Sequence, residues 1–402
     1  MDYSSNHEIE QLISAIDITP KMYEQAKTRY HSLADMLENQ GIDAEFYPQG
    51  SFRMGTVVKP YFKGEDKSYD LDVVAEIGVF REDTDAKTIK HLIGDTIKSA
   101  PRFEKQLKPE DNRCWTLSYV SDGFELDIVP SVMQSKEYVN QLISKGVRSD
   151  CALKAIAITD KKSEGEYAWT NSNPQGYAKW FDEINEPFLR LTRQRFRESL
   201  MHKSRGMFAS VEEIPSLLER SSLQRVIQIM KRHRDVYFTG LAIKDDSIWD
   251  LRPISAIITT LCVQIASHIA PTSDILDLLS SVSCVIREHA SLQNQVDSWL
   301  FESRRQQTYI RKRDSKWRIV NPVDPNDNYT ENWTDNHTRV FFQWLDKLHE
   351  DFFVDLPNTL SENRSLIYKN LFGKRIVEQV FPEESSAPYV AISTGTKPYK
   401  EG

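Results

Sequence analysis

The order of patterned segments predicts an α+β fold of two lobes, a mixed-sheet lobe followed by a mostly helical one. Three observations carry this expectation. Tyr69-Asp70-Leu71-Asp72-Val73-Val74-Ala75 and Phe124-Glu125-Leu126-Asp127-Ile128-Val129-Pro130 alternate with the period of a strand. Apolar residues around them recur at helical spacing. Beyond about residue 200 the stripes are mostly helical, without repeat or low-complexity tract. A chain of 402 residues suits two lobes, and 40% hydrophobic with 27% charged residues describes a globular protein with ample core material.

In chain order, Thr19-Pro20 is a cap followed by a first-turn proline. Tyr23, Ala26, Tyr30, Leu33, Ala34 and Leu37 then mark a long helix that Gly41 closes, braced against the sheet. Pro48 and Gly50 break the next strand, so Gln49-Gly50-Ser51 opens into a tight turn with free N–H groups. With a serine hydroxyl in it, such a turn is a cradle for a phosphate chain. In the strand at residues 69–75, Asp70 and Asp72 share one face while Leu71 and Val73 point to the core. Two carboxylates side by side repel unless they share hard cations, and magnesium bridges carboxylates to substrate phosphates.

Residues 84–98 read as a helix with Ile89, Leu92, Ile93 and Ile97 inward. Residues 113–120 read as a strand, and Asp122-Gly123 turns it into the strand of Asp127. That hairpin sets Glu125 and Asp127 opposite Phe124, Leu126 and Ile128. A third carboxylate beside a metal pair suits two-metal chemistry. Each motif alone is usually a solvated edge or a plain turn. Together, in this order, they indicate phosphoryl or nucleotidyl transfer.

Residues 169–177, rich in turn formers, read either as a structural loop or as a rim of the site. Two basic runs, residues 188–205 and 304–318, read first as solvated faces, with attraction of an anionic substrate, a guide nucleic acid or a partner protein as the sharper option. Ser222 is expected to cap a helix carrying Leu223, Val226, Ile227 and Met230 on one face. Lys231 lies at the edge of that stripe, placed to reach a triphosphate. Pro253-Ile254-Ser255 opens another apolar helix, with Ser255 as a second phosphate hydroxyl. Helices are also expected at residues 273–289, 335–352 and 366–380.

Gly50-Ser51, Asp70-x-Asp72 and Asp127 resemble the active-site signature of the DNA polymerase β-like nucleotidyltransferases. The fuller runs Pro48-Gln49-Gly50-Ser51-Phe52-Arg53-Met54-Gly55-Thr56 and Glu125-Leu126-Asp127-Ile128-Val129-Pro130 are similar to the cGAS/DncV-like nucleotidyltransferases (CD-NTases) of bacterial anti-phage signalling. The helices after Leu223 and Pro253, and Val320-Asn321-Pro322-Val323-Asp324-Pro325, are similar to their helical domain. The resemblance spans residues 48–324. The 19-residue step from Ser51 to Asp70 is longer than in minimal members, and Tyr69 stands where many relatives have a small hydroxyl residue.

The resemblance implies a polymerase β-like catalytic lobe over residues 1–200, an oligoadenylate-synthase-like helical lobe over 201–384 and a flexible tail over 385–402. It implies that Asp70, Asp72 and Asp127 bind two Mg²⁺ ions, with Mn²⁺ as an alternative, and that Gln49, Gly50, Ser51, Lys231 and Ser255 hold the nucleotide. ATP with GTP or another nucleoside triphosphate would be joined into a cyclic di- or trinucleotide that activates an anti-phage effector. Other members of the superfamily modify RNA, a protein or a small molecule, and a catalytically silent binding module is the non-enzymatic alternative. Some systems with CD-NTases carry ubiquitin-transfer-like enzymes that join the nucleotidyltransferase's C-terminus to a target amine. That offers Gly402 for conjugation, beside the plainer reading of a frayed end.

The formal net charge of -8 argues against obligate binding of a long nucleic acid. The first residues lack a basic and apolar signal pattern, and the best apolar run, residues 254–266, is short and interrupted, so no membrane span is expected. Cys114, Cys151, Cys262 and Cys284 are scattered without zinc-finger spacing, which suggests free thiols in a reducing cytoplasm.

Overall fold

The computed structural model describes residues 3–203, 219–360 and 363–382. The expected tail with Gly402 lies outside the described residues. The chain begins with helices α1 (Tyr3–Ile16) and α2 (Pro20–Asn39) and strand β1 (Ala44–Pro48), followed by a short helix α3 (Gly50–Arg53). A small hairpin of β2 (Tyr61–Phe62) and β3 (Glu65–Asp66) precedes the long strand β4 (Tyr69–Phe80) and helices α4 (Ala86–Ser99) and α5 (Pro101–Glu104). Next come β5 (Trp115–Tyr119), β6 (Phe124–Met133), α6 (Lys136–Ser144), α7 (Ser149–Ala152), β7 (Ile156–Lys161), β8 (Tyr167–Ser172) and the long helix α8 (Pro174–Lys203). The later part holds α9 (Ser222–Ala242), α10 (Ser255–Ala266), α11 (Ile275–Arg287) and α12 (Trp299–Ser303). Two small hairpins, β9 (Arg311–Arg313) with β10 (Lys316–Arg318) and β11 (Val320–Asn321) with β12 (Asp324–Asn328), lead to α13 (Asp335–Glu350), α14 (Leu356–Asn358), α15 (Arg364–Phe372) and α16 (Lys374–Val380).

The central sheet runs β1-β4-β6-β7-β8, with β5 beside the first half of β6 and β7 beside its second half. Only the β4–β6 pair is parallel, so the sheet is mixed. Leu71, Val73, Ala75, Leu117, Leu126 and Ile128 face α2 and α4, which contribute Ala26, Leu33, Leu37, Ile93 and Ile97. That packing leaves the alternate residues of β4 and β6 on the opposite face. Buried Lys90 on α4 ties the approach to β5 with bonds from Nζ to the carbonyls of Asp111, Asn112 and Cys114 at 2.9, 3.2 and 3.0 Å.

The helix starts follow their caps. Thr19 caps α2, and Asp85 caps α4. The cap of α9 is Ser221, one residue earlier than expected. From there its hydroxyl accepts from Gln224 N while the Gln224 side chain accepts from the Ser221 N–H, a reciprocal box that Ser222 could not close. The strand β8 also departs from the expected loop. Asn171 and Ser172 are turn formers in isolation, but they pair with Ala157 and Ile156 at the sheet edge.

The helical core does not divide at residue 200. Ile9, Leu12, Ile13 and Ile16 of α1 and Phe181 and Phe188 of α8 pack with α9, α10, α11 and α13. One stretch among the described residues, Asp246–Ala266, is long and apolar enough to cross a membrane, yet its α10 part is the buried centre of this core.

The long connection from α3 to β4 lies along α9, which takes up its carbonyls one after another. Gln224 Nε2 donates to Met54 O (2.7 Å), Gln228 Nε2 to Val57 O (2.8 Å), Lys231 Nζ to Thr56 O (3.1 Å) and Arg232 Nη1 to Lys59 O (2.9 Å). The 19-residue step is thus a built strap between the lobes.

Candidate active site

The two strands of the parallel pair bring the acidic residues together. Asp72 on β4 is the register partner of Asp127 on β6, and Asp70 of Glu125. All four lie on the face opposite the α2–α4 core. Asp127 is oriented from β5: Thr116, its register partner there, donates its hydroxyl to Asp127 Oδ1 at 2.5 Å. Glu125 is held off by an ion pair with Lys108.

The turn before β4 is shaped to meet these carboxylates. Gln49 N donates to Asp72 O at 2.8 Å, anchoring the entrance to α3. Gly50 has φ +61, and a Cβ there would stand 2.7 Å from Asp72 Oδ2, so the backbone approaches the carboxylate as only glycine permits. The N–H groups of Gly50, Ser51 and Phe52 begin a helical turn and have no partner among the described residues, nor has the Ser51 hydroxyl. The expected cradle is therefore a helical first turn.

These residues open on a cleft of about 580 Å³ whose far wall is α9 and α10. Lys231 lines it, buried, with Nζ on Thr56 O at 3.1 Å and Thr56 Oγ1 at 3.3 Å. Ser255, the first residue of α10, also lines the cleft. Its Oγ accepts from Arg234 Nη1 at 3.1 Å, which leaves its own O–H free to donate. All eight expected site residues except Asp127 line this one cleft, and Asp127 is brought to its edge by register with Asp72.

Electrostatics separate the two walls. Burial, then Asp127 and Asp70, push the Asp72 carboxyl up to about 7, against Lys231. Burial, then Asp127 and Glu125, push Asp70 up to about 6. Burial lowers Lys231 to about 7, with neighbouring Arg234 acting in the same direction. A carboxylate cluster that resists ionisation beside a half-neutral lysine is a site short of positive charge on one wall and of negative charge on the other. A divalent cation with a polyphosphate supplies both.

The donor set fits such a cation. Among the described residues no three acidic, histidine or cysteine side chains close into a metal cage. The three aspartates instead form an open face, as suits an ion that completes its shell with substrate phosphate and water. Because each coordinating carboxylate must lose its proton, Mn²⁺ affinity measured by electron paramagnetic resonance rises about 10- to 100-fold from pH 5.5 to 7.5. An affinity flat over that range contradicts the assignment of Asp70 and Asp72.

Several residues of the cleft carried no sequence-level expectation. Arg234 is buried, chelating Asp235 at 2.7 Å and the Pro253 carbonyl at 2.9 Å. Its spacing of three from Lys231 places both on one helix face, a signal present in the sequence. Arg252 stacks on Trp249 at 4.0 Å, and Trp249 meets Phe62 at 4.4 Å. Asp327 and Tyr329 come from the β11–β12 hairpin and the residue after it, where nothing local marks them, and stand beside Asn321 of the run likened above to the helical domain. Ser172, Asn173, Pro174 and Tyr177 line the cleft, so the later part of residues 169–177 is a rim.

Removing the Lys231 charge tests the far wall. Lys231→Met is expected to raise KM for nucleotide about 10- to 100-fold, for a charge-assisted contact of roughly 1.5–3 kcal/mol, with kcat less affected. An unchanged KM for every nucleotide would return Lys231 to a purely structural tie on Thr56.

Comparison with known proteins agrees with this geometry. Residues 44–130 match the family model described as cyclic GMP-AMP synthase DncV-like, nucleotidyltransferase domain. A c-di-GMP synthase of Roseivirga ehrenbergii is 28% identical over 372 residues, covering 90% of this chain and 82% of the relative. The cyclic dinucleotide synthase CdnG of Bradyrhizobium diazoefficiens is 28% identical over 243 residues, 57% of this chain and 52% of that protein. The solved structure of that CdnG in complex with GTP superposes with a TM-score of 0.60 at 21% identity, covering 92% of this chain and 96% of the other. CdnC of E. coli MS115-1 with ATP gives 0.54 at 13% identity, covering 93% and 98%. The matched segment runs from β1 to the Asp127 strand and so contains the whole acidic face. Residues 44–130 are thus similar to a DncV-like nucleotidyltransferase domain, and most of the chain to a c-di-GMP synthase.

Proposed function

We propose that this protein joins nucleoside triphosphates into a cyclic dinucleotide, with GTP among its substrates and a cyclic trinucleotide as the alternative ring. The single observation that carries the reading is the register of Asp72 with Asp127 beneath a cleft whose opposite wall offers Lys231. The named relatives, a c-di-GMP synthase and a cyclic dinucleotide synthase, support it.

In this reading Asp70, Asp72 and Asp127 hold two divalent ions, Mg²⁺ or Mn²⁺. When bound, such ions activate an acceptor hydroxyl and steady a leaving pyrophosphate. The chain's own groups bind and orient. The free N–H groups of Gly50 and Ser51 and the Ser51 hydroxyl receive the donor phosphates, with Gln49 at the entrance to that turn. Lys231 and the Ser255 hydroxyl approach the same phosphates from the helical wall. Thr116 fixes one oxygen of Asp127, so the other is presented at a constant angle. A linear dinucleotide that turns over within the cleft presents its own triphosphate for a second transfer, which closes the ring. The product would act in the cytoplasm as a messenger for a separate anti-phage effector.

The test is incubation of the purified chain with ATP, GTP, CTP and UTP plus Mg²⁺, followed by mass analysis. A phosphatase-resistant cyclic product containing guanosine is expected. Nucleotide attached only to RNA, to protein or to a small molecule would sink the cyclic reading.

A further inference from the structure

Two arginines face each other across the β9–β10 hairpin. Arg311 and Arg318 are register partners, and like charges directly opposite on an antiparallel pair weaken it. The rest of this basic run is largely neutralised locally. Arg313 forks onto Glu302 at 2.6 and 2.9 Å, Arg305 pairs with Glu288, and buried Lys312 donates to the carbonyls of Leu292 and Gln293 at 3.3 and 3.2 Å. The Arg318 side chain has no hydrogen bond or ion pair among the described residues, and that of Arg311 only a loose approach to Glu302 at 3.8 Å.

Both arginines line a concavity of about 460 Å³ that shares no lining residue with the catalytic cleft. Trp180 of α8 and Tyr309 supply half-buried rings to it, and Gln264 of α10 an amide. Two exposed guanidiniums that repel each other gain most from a compact dianion placed between them, because each can fork onto its oxygens. The rings beside them suit a planar group carried by that dianion. We propose that this concavity is a second nucleotide site, in which Arg311 and Arg318 clamp a phosphate and Trp180 and Tyr309 flank the base. It is a small-molecule pocket by size.

The site is joined to the cleft by shared elements. On the β11–β12 hairpin Val320 and Pro325 face the concavity while Asn321 and Asp327 line the cleft. On α8 the ring of Trp180 meets that of cleft-lining Tyr177 edge-on at 5.1 Å. A ligand held by the arginines therefore bears on residues that line the catalytic cleft.

The experiment is calorimetric titration of the full chain with GMP, which has no pyrophosphate to lose and cannot be polymerised. Wild type is expected to show two classes of site. Arg311→Gln with Arg318→Gln is expected to keep one class and weaken the other at least about tenfold. Both positions are exposed, so the melting temperature should not fall, and turnover without added GMP should stay within about twofold. Ribose 5-phosphate and inorganic phosphate should compete for the arginine site more weakly than GMP. Identical isotherms for wild type and variant overturn the site, equal affinity for phosphate and GMP overturns the base's part in it, and loss of RNA binding alone reassigns the arginines to nucleic acid. The readout is binding at residues outside the cleft, so its failure leaves the cyclic-product reading untouched.

Discussion

Asp70→Asn with Asp72→Asn abolishes nucleotide product, a loss of about 10³-fold or more, because the loss of ion-held charge stabilisation is worth several kcal/mol. The same change stabilises the metal-free protein at pH 8. Burial and neighbouring carboxylates, Asp127 foremost, raise Asp72 to about 7 and Asp70 to about 6 in the fold, while in the unfolded chain both titrate near the ordinary 3.8. Between those values the folded state binds more protons than the unfolded one, so stability falls as pH rises from about 4 to about 7. Neutral asparagines remove that loss, and thermal melts in chelator should show a higher melting temperature for the variant at pH 8 and little difference at pH 4. Undiminished turnover in the double variant would sink the catalytic assignment. A lower melting temperature at pH 8 would show that these carboxylates are structural instead.

Arg232→Met costs about 3–5 kcal/mol of stability, the range found when one partner of a buried charge pair is removed. Arg232 is fully buried and joins three parts of the chain. Its Nη2 pairs with Asp66 Oδ1 at 2.7 Å, its Nε donates to Phe372 O at 2.8 Å, and its Nη1 donates to Lys59 O at 2.9 Å. The guanidinium also lies 4.7 Å from the centre of the Tyr61 ring. Methionine keeps the stem's packing but leaves Asp66 without its counter-charge and two carbonyls without their donor. Lysine cannot restore the three-way fork, so Arg232→Lys should recover only part of the loss. Denaturant unfolding measures both variants, and a cost below about 1 kcal/mol for Arg232→Met would show that the strap between the lobes does not depend on this residue.

Local chemistry made much of the catalytic lobe legible in the sequence. The period-two runs at Asp70 and Asp127 read as strands because their alternate residues, Leu71, Val73, Leu126 and Ile128, are the ones the sheet buries. Thr19 and the Asp122-Gly123 turn marked element ends through backbone preferences that act over three or four residues. The acidic site was legible for the same reason, since each aspartate sits on a strand whose faces are set by its neighbours.

What tertiary structure alone decided involves partners far apart in the chain. Ser221 rather than Ser222 caps α9, and β8 is a strand only because β7 offers it an edge. Arg234 joined the expected Lys231 in the cleft through the strap at residues 54–59, whose carbonyls select which face of α9 turns toward the sheet. Asp327 and Tyr329 joined the cleft, and Arg311 and Arg318 a separate concavity, through the fold of two short hairpins. Hydrophobic period and capping act locally and leave a trace in the sequence. Which polar side chains end in one cavity depends on how whole elements pack, and no period records it.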